Sequence, residues 1–316
     1  MAGFVFHLPA AVLRGDEAMK PFYRKLLDGL AERGHPVSQI AHDRARLVAQ
    51  VAAADDLHIV DHGNIRHPQI LNTGIAYVYP FWNIDPWGIR ALSSVAGKAF
   101  DPATVDPVVA RGWADRQRRR LIAGRVSRYP QPTARQDLPR GAIAVFLQAD
   151  AHRAVADTFH LTSAGMIAAL LARDDPAPIL IKPHPLDPDP GTRARVAAMT
   201  AGDSRVRIVD ANIHDMLSAA SAVVTINSAV GIEAMLHHRG VVLCGHSDFH
   251  HAAVTVRTAA QMDAAIARAR AADWPHDAFV YWYLVQNCLN AGSETLVPDF
   301  LARTKAFTSP SAPVHR

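Results

Sequence analysis

The chain has 316 residues, 49% of them apolar and 20% charged, with a formal net charge of +4. That length suffices for two α/β domains with substantial cores, and the composition is that of a globular protein, which excludes disordered and fibrous classes. No stretch approaches the roughly 18 consecutive apolar residues of a membrane span.

Phe4 to Leu8 reads as a first β-strand. Met1 to Leu8 lacks the basic start and long apolar core of a secretory leader, so a cytoplasmic protein is expected. Glu17 to Arg33 predicts a helix, with Phe22, Leu26, Leu27 and Leu30 on one face and Gly34 as its stop. Leu57 to Val60 and Ile75 to Tyr79 read as short strands. The first ends in Asp61-His62-Gly63-Asn64, and the second runs into an aromatic, polar loop from Pro80 to Gly88. Helical sequence resumes from Asp101 to Ala123.

Seven arginines between Arg111 and Arg128 are opposed only by Asp115. Such a cluster is either a solvated helix face or a surface for an acidic partner such as anionic lipid or a lipid-linked glycan. No nucleic-acid signature accompanies it, so a nucleic-acid partner is not expected. Pro130, Pro132 and Pro139 then mark a linker.

Beyond the linker, strands are predicted at Ile143–Leu147, Pro178–Ile181, Val206–Val209, Ala222–Ile226 and Val241–Leu243. Helices are predicted between them at Ser163–Ala172, Thr192–Met199, Ile213–Ala220 and Ala229–His237, with another at Ala259–Ala271. This alternation is a parallel-sheet pattern. Asp277 to Asn290 reads as a long C-terminal helix. The expected division is an N-terminal Rossmann-like domain at 1–128, a linker at 129–140, a second Rossmann-like domain at 141–275, and a helical segment and tail at 276–316. The two cysteines, Cys244 and Cys288, lack metal-ligand spacing and read as reduced core thiols.

The candidate chemistry lies at predicted strand ends, where open α/β sheets bind ligands. Lys182-Pro183-His184-Pro185 ends one strand, and two prolines stiffen the backbone that carries the imidazole. His184 can donate hydrogen bonds or a proton to a leaving phosphate. Lys182 is either a counter-charge for a phosphate or carboxylate, or a solvent-facing lysine. Asn227-Ser228 lies where another strand becomes a helix. Ser228 is either a helix cap or a phosphate ligand. Gly231 would allow close approach of a ligand to the first turn, and Glu233 can accept ribose hydroxyls or complement the helix dipole. Gln148 and Asp150 follow the first strand after the linker, where a carboxylate can serve as nucleophile or base. Asp85, flanked by Trp82 and Trp87, is the best N-terminal carboxylate. Asp187-Pro188-Asp189 and the histidines His246, His250 and His251 are weak metal candidates, and no metal site is expected.

At Phe146-Leu147-Gln148-Ala149-Asp150, Lys182 to Pro185, Asn227 to Glu233 and Val241 to Gly245, the chain resembles the capsule polysaccharide biosynthesis family, the bacterial retaining β-Kdo transferases. The resemblance is specific over about residues 141–250, and looser at Asn72-Thr73-Gly74 and Phe81 to Gly88. It implies a GT-B fold: α/β, two Rossmann-like domains facing a central cleft, with a C-terminal helix packing back across them. It also implies a CMP-Kdo donor, no further cofactor, retention through two displacements, and a lipid-linked or oligosaccharide acceptor. Asp150 would be the nucleophile and Asp85 the general acid/base. His184, Asn227 and Ser228 would bind the cytidylate, with Gln148, Pro185, Gly231 and Glu233 around them and Lys182 a candidate for the Kdo carboxylate. The implied partners are the sugar donor, the glycan acceptor, and a peripheral contact at the inner membrane or a capsule assembly complex. A nucleotide-sugar epimerase, a polyol-phosphate transferase on the same scaffold, and an inactive binding subunit remain alternatives.

Overall fold

The computed structural model describes residues 3–43, 46–51, 56–148 and 157–308. Asp150, the expected nucleophile, lies outside the described residues. The chain divides into two compact units, one of residues 1–98 with 284–316 and one of residues 99–283.

The first unit is built on strands β1 (Phe4–Leu8), β2 (Val37–Ala41), β3 (Leu57–Asp61), β4 (Ile70–Ile75), β5 (Phe81–Asp85) and β12 (Leu289–Asn290), in the order β12-β5-β4-β3-β1-β2. The four strands from β4 to β2 run parallel, while β5 and β12 pair antiparallel. Helix Pro21–Ala31 lays Phe22, Leu26, Leu27 and Leu30 on the sheet. Its start matches the rule that proline is tolerated in a first turn. Phe22 stacks on Trp82 with ring centroids 4.2 Å apart. Helix Leu296–Thr308 adds Leu296, Val297 and Phe300 to the same core.

The second unit carries β6 (Ala142–Phe146), β7 (Ile179–Lys182), β8 (Val206–Ile208), β9 (Ala220–Thr225), β10 (Gly240–Leu243) and β11 (Val254–Thr255). Their order is β11-β10-β9-β6-β7-β8, and every pairing is parallel. Helices cover both faces, so the strands read as continuous apolar runs rather than alternating ones. Ile143, Val145, Ile181 and Val224 pack with Met166, Leu170, Met262 and Ile266. Phe146 stands level with both Lys182 and Thr225, so the carboxyl ends of β6, β7 and β9 form one edge. Both units are Rossmann-like, as the GT-B expectation requires.

Four expectations are corrected. Phe81 to Asp85 is a fully buried strand, not a loop, because Asn83 and Asp85 find internal partners that let polar residues sit in a core. Of the predicted strand Ile75–Tyr79 only Ile75 is in a strand, the end of β4; Ala76 to Tyr79 belong to the turn that joins β4 to β5, with Tyr77 in the left-handed region at φ 64°. The predicted helix Asp277–Asn290 breaks up: helix His276–Tyr281 runs into a π turn at Trp282–Gln286, then β12. A separate helix follows at Leu296, with Pro298 in its first turn, where proline is accommodated. Finally, residues 99–128 belong to the second unit, not the first. Helix Pro107–Arg118 is tied there by Arg118, which donates to the Leu236 carbonyl at 2.8 Å and pairs with Asp277.

Candidate functional site

In the second unit a pocket opens at the carboxyl edge of β6 and β7. Five of the expected residues line it: Lys182, His184, Pro185, Ser228 and Glu233. Its opposite wall is Ser127, Arg128, Tyr129 and Gln131, from the segment expected to be only a linker. That segment is fastened to the unit. Gln131 Oε1 accepts from the Ile213 N–H at 3.2 Å, and Asn212 Nδ2 donates to the Pro132 carbonyl at 3.1 Å.

Each lining group has a defined electrostatic state. Lys182 is 6% exposed and donates from Nζ to the Ala211 carbonyl at 2.7 Å. Burial lowers its pKa, and Asp210 works in the opposite direction. An ammonium has three hydrogens, so a ligand oxygen can share this one with Ala211. His184 Nδ1 accepts from the Leu186 N–H at 3.2 Å, which puts the ring proton on Nε2 in the neutral tautomer. Tyr129 meets the imidazole edge-on, with centroids 5.2 Å apart. Ser228 Oγ accepts from the Val230 N–H at 3.4 Å, a weak cap.

Glu233 is the unusual member. It is 4% exposed, and burial pushes its carboxyl up to about 7, against opposing contributions from the Ser127 hydroxyl and Arg128. A carboxyl that changes charge near neutrality, inside a pocket, is a functional candidate by its physical state. Arg128 reaches over the Tyr129 ring, with its guanidinium carbon 5.5 Å from the centroid. Together these side chains present two cations, one imidazole N–H, three hydroxyls and one ionisable carboxyl around a single concavity. That set suits an anionic, hydroxylated ligand.

Three expected ligand residues are placed differently. Gln148 and Asn227 bond to each other, Gln148 Nε2 donating to Asn227 Oδ1 at 3.0 Å and Asn227 N–H to Gln148 Oε1 at 2.9 Å. Asn227 Nδ2 spends its hydrogens on Thr158 Oγ1 at 2.8 Å and the His246 carbonyl at 2.9 Å. The pair is a latch between strand ends, and its amide groups are consumed internally. Gly231 faces the core: a Cβ there would come within 2.6 Å of the Phe249 ring. Its lack of a side chain serves packing, not ligand approach.

Asp85, in the first unit, is also corrected. Its Oδ1 accepts from the Trp87, Gly88 and Ser94 N–H groups at 2.8, 3.2 and 2.9 Å, and Oδ2 from Ser94 Oγ at 2.6 Å. This carboxylate organises its own loop, and that occupation argues against the general acid/base role. A polar cluster that the sequence marked only as a strand end sits elsewhere in the same unit. Asp61 accepts from the Tyr23 hydroxyl and from His62 Nδ1 at 2.9 Å, while His62 takes φ 51°.

Among the described residues no group of three His, Cys, Asp or Glu is arranged to hold a metal ion. Cys244 and Cys288 are free and buried. Much of the arginine-rich segment is engaged within its own unit: Arg118 with Asp115 and Asp277, Arg125 with Asp215. Among the described residues no helix is long and apolar enough to cross a membrane.

No curated protein matches the sequence. Two solved structures from Thermosulfurimonas dismutans are similar in fold. One is KpsC, beta Kdo 2,7 transferase, at 14% identity and TM-score 0.59 over 92% of each chain. The other is KpsC, beta Kdo 2,4 transferase, at 14% identity and TM-score 0.52 over 88% of this chain and 89% of that one. The model of the family described as capsule polysaccharide biosynthesis protein matches residues 144–285, the sheet and strand ends that build this pocket. Over that region, just under half of the chain, the sequence is similar to the capsule polysaccharide biosynthesis family.

Proposed function

We propose that the chain is a glycosyltransferase of capsule or surface polysaccharide assembly, and that its donor is a CMP-activated sugar, most simply CMP-Kdo. One observation carries the reading: Lys182, His184, Ser228, Glu233 and Arg128 line a single pocket at the carboxyl edge of the family-matching sheet. Lys182 and the His184 Nε2–H would meet the phosphate, and the leaving phosphate would gain charge as its bond to the sugar breaks. Charge-assisted hydrogen bonds of that kind contribute roughly 1.5–3 kcal/mol each. Glu233 and Ser127 would meet the ribose or the base. The names of the two KpsC structures support Kdo as the sugar.

Retention would follow from two displacements. Asp150 would attack the anomeric carbon, forming an ester as the C–O bond to phosphate breaks and CMP departs. An acceptor hydroxyl would then attack the same carbon, release Asp150 and give up its proton to a base.

Incubation with CMP-Kdo and a lipid-linked or synthetic glycan acceptor should release CMP and extend the acceptor. Asp150→Ala should end turnover while CMP binding survives. Calorimetry with CMP, CDP and UDP tests the donor class. Tightest binding of UDP, with conversion of UDP-GlcNAc in the absence of acceptor, would overturn the proposal in favour of epimerisation. Preference for CDP-glycerol would overturn it in favour of polyol-phosphate transfer.

A further inference from the structure

The first unit carries its own group of reactive side chains at the carboxyl edge of its parallel strands. Asp61 is the last residue of β3 and stands level with Thr73 of β4. Its side chain is 4% exposed and surrounded by donors: the Tyr23 hydroxyl, His62 Nδ1 at 2.9 Å and Lys20 Nζ at 3.7 Å. Burial would raise its pKa, but His62, Lys20 and Tyr23 together hold it below the ordinary value, so the carboxyl is ionised near neutrality. Tyr23 is itself fixed, with its hydroxyl 2.8 Å from Thr73 Oγ1 and its ring edge-on to Trp82.

His62 is fixed through its backbone. Its N–H donates to the Thr73 carbonyl at 2.7 Å. It takes φ 51°, a left-handed conformation that costs a non-glycine residue energy and persists only where the surroundings enforce it. Asn72 does the enforcing on the residues that follow. Its Oδ1 accepts from the Ile65 N–H at 3.1 Å, and its Nδ2 donates to the Ile65 carbonyl at 2.9 Å. Gly63 runs so close to that amide that a Cβ there would come within 2.1 Å of Asn72 Oδ1.

The imidazole is thereby aimed. An ionised Asp61 places the ring proton on Nδ1, which leaves a lone pair on Nε2 in the neutral tautomer. The His62 side chain is 33% exposed, and its Nε2 is accessible, with no hydrogen-bond partner among the described residues. His7, His58 and His214 are paired too, but each is buried. A fixed carboxylate behind an imidazole whose far nitrogen is open suits a general base, because the carboxylate stabilises the imidazolium that proton uptake creates.

We propose that His62 is the base that takes the proton of the acceptor hydroxyl, with Asp61 as its positioning residue. The assignment rests on the transferase reading and supplies the proton acceptor that reading requires. In the second displacement the acceptor O–H gives its proton to His62 Nε2, its oxygen bonds to the anomeric carbon, and the ester bond to Asp150 breaks to return the carboxylate. The imidazolium then loses its proton to water. The first displacement, which releases CMP, needs no such base, so removal of His62 separates the two halves of the reaction.

Rapid-quench kinetics with CMP-Kdo and a synthetic glycan acceptor test this. His62→Asn is the first variant, since asparagine tolerates a left-handed backbone. It should release a burst of about one CMP per enzyme, as covalent catalysis predicts when the second step is slowed. Turnover should then run roughly 10²–10⁴-fold below wild type, the usual contribution of a general base. Mass spectrometry should find the glycosyl-enzyme accumulated. His62→Gly, at a φ that suits glycine, should lose as much turnover and regain part of it on addition of imidazole. Asp61→Asn should lower kcat with KM little changed and redistribute the His62 ring proton between Nδ1 and Nε2, read by ¹⁵N shifts. Wild-type turnover in both His62 variants would overturn the assignment, as would loss of the burst in step with turnover and no recovery with imidazole. Wild-type kcat and an unmoved ring proton in Asp61→Asn would end the positioning role. A wild type that neither releases CMP nor extends the acceptor would instead bring down the transferase reading, and this assignment with it.

Discussion

Glu233 is hydrogen-bonded to Ser127 at the wall of a pocket, although the two residues lie far apart in the unit's sequence. The carboxyl is raised to about 7 by burial, from an ordinary value of 4.5. Below pH 4.5 the group is protonated in both folded and unfolded chains. Between 4.5 and 7 the folded chain holds the proton more tightly, so stability falls as pH rises through that window, by at most roughly 3 kcal/mol. Glu233→Gln should remove this slope, so the variant should gain on the wild type in urea denaturation at pH 8 relative to pH 5. A carboxyl ¹³C titration of Glu233 with a midpoint near the ordinary value would contradict the burial argument.

Buried imidazoles give the opposite slope. His7 Nε2 and His58 Nδ1 lie 2.8 Å apart in the first unit, and burial lowers His7 to about 4, helped by the His58 and His42 charges. His237 is lowered to about 3 by burial and by its neighbours His214 and Arg239. Unfolded histidines take up protons from about pH 6.5 downward and these do not, so stability is lost as pH falls from 6.5 toward 4 and below. The urea midpoint should drop over that range. His7→Leu with His58→Leu should flatten the drop, and an unchanged acid limb would refute the assignment.

Gly231→Ala should destabilise the second unit. The new methyl would meet Phe249, which is fully buried and has nowhere to move. Overpacking of this kind costs typically 1–3 kcal/mol, so about that loss is expected in chemical denaturation. CMP affinity of the folded variant should stay within about threefold of wild type, a change of well under 1.4 kcal/mol.

Asp85→Asn distinguishes a loop anchor from a catalytic acid. An amide keeps one acceptor oxygen but cannot serve the N–H groups of Trp87, Gly88 and Ser94 as well as the Ser94 hydroxyl. A stability loss of about 1–3 kcal/mol is expected from the unsatisfied buried groups. Turnover per folded molecule should fall by less than about tenfold. A kcat collapse at unchanged Tm would restore the catalytic role.

Much of the second unit was legible because its strands are buried on both faces. Ala142 to Phe146 and Ala220 to Thr225 are apolar runs with little else they can become. His184 and Ser228 were found because each abuts such a run. Ser127, Arg128 and Tyr129 were hidden by neighbouring prolines, which mark a connection but say nothing of what it lies against. Gln148 and Asn227 show a different gap: an amide that binds a ligand and one that binds another amide have the same letter. Glu233 reads from the sequence as a ribose acceptor or a dipole partner, but its burial does not show there, since that needs the pocket wall to be visible. In the first unit, Asn83 and Asp85 disguised a core strand as a loop, because sequence cannot show that their partners are internal.

The return of the chain at Leu284 has a bearing on synthesis. Phe4 and Phe6, translated well before the second unit, share a core with Phe300. The second unit is contiguous, and its whole core leaves the ribosome while the opening strands still lack their last hydrophobic partner. A nascent chain exposed only as far as residue 283 would thus hold a completed late unit behind an unfinished early one.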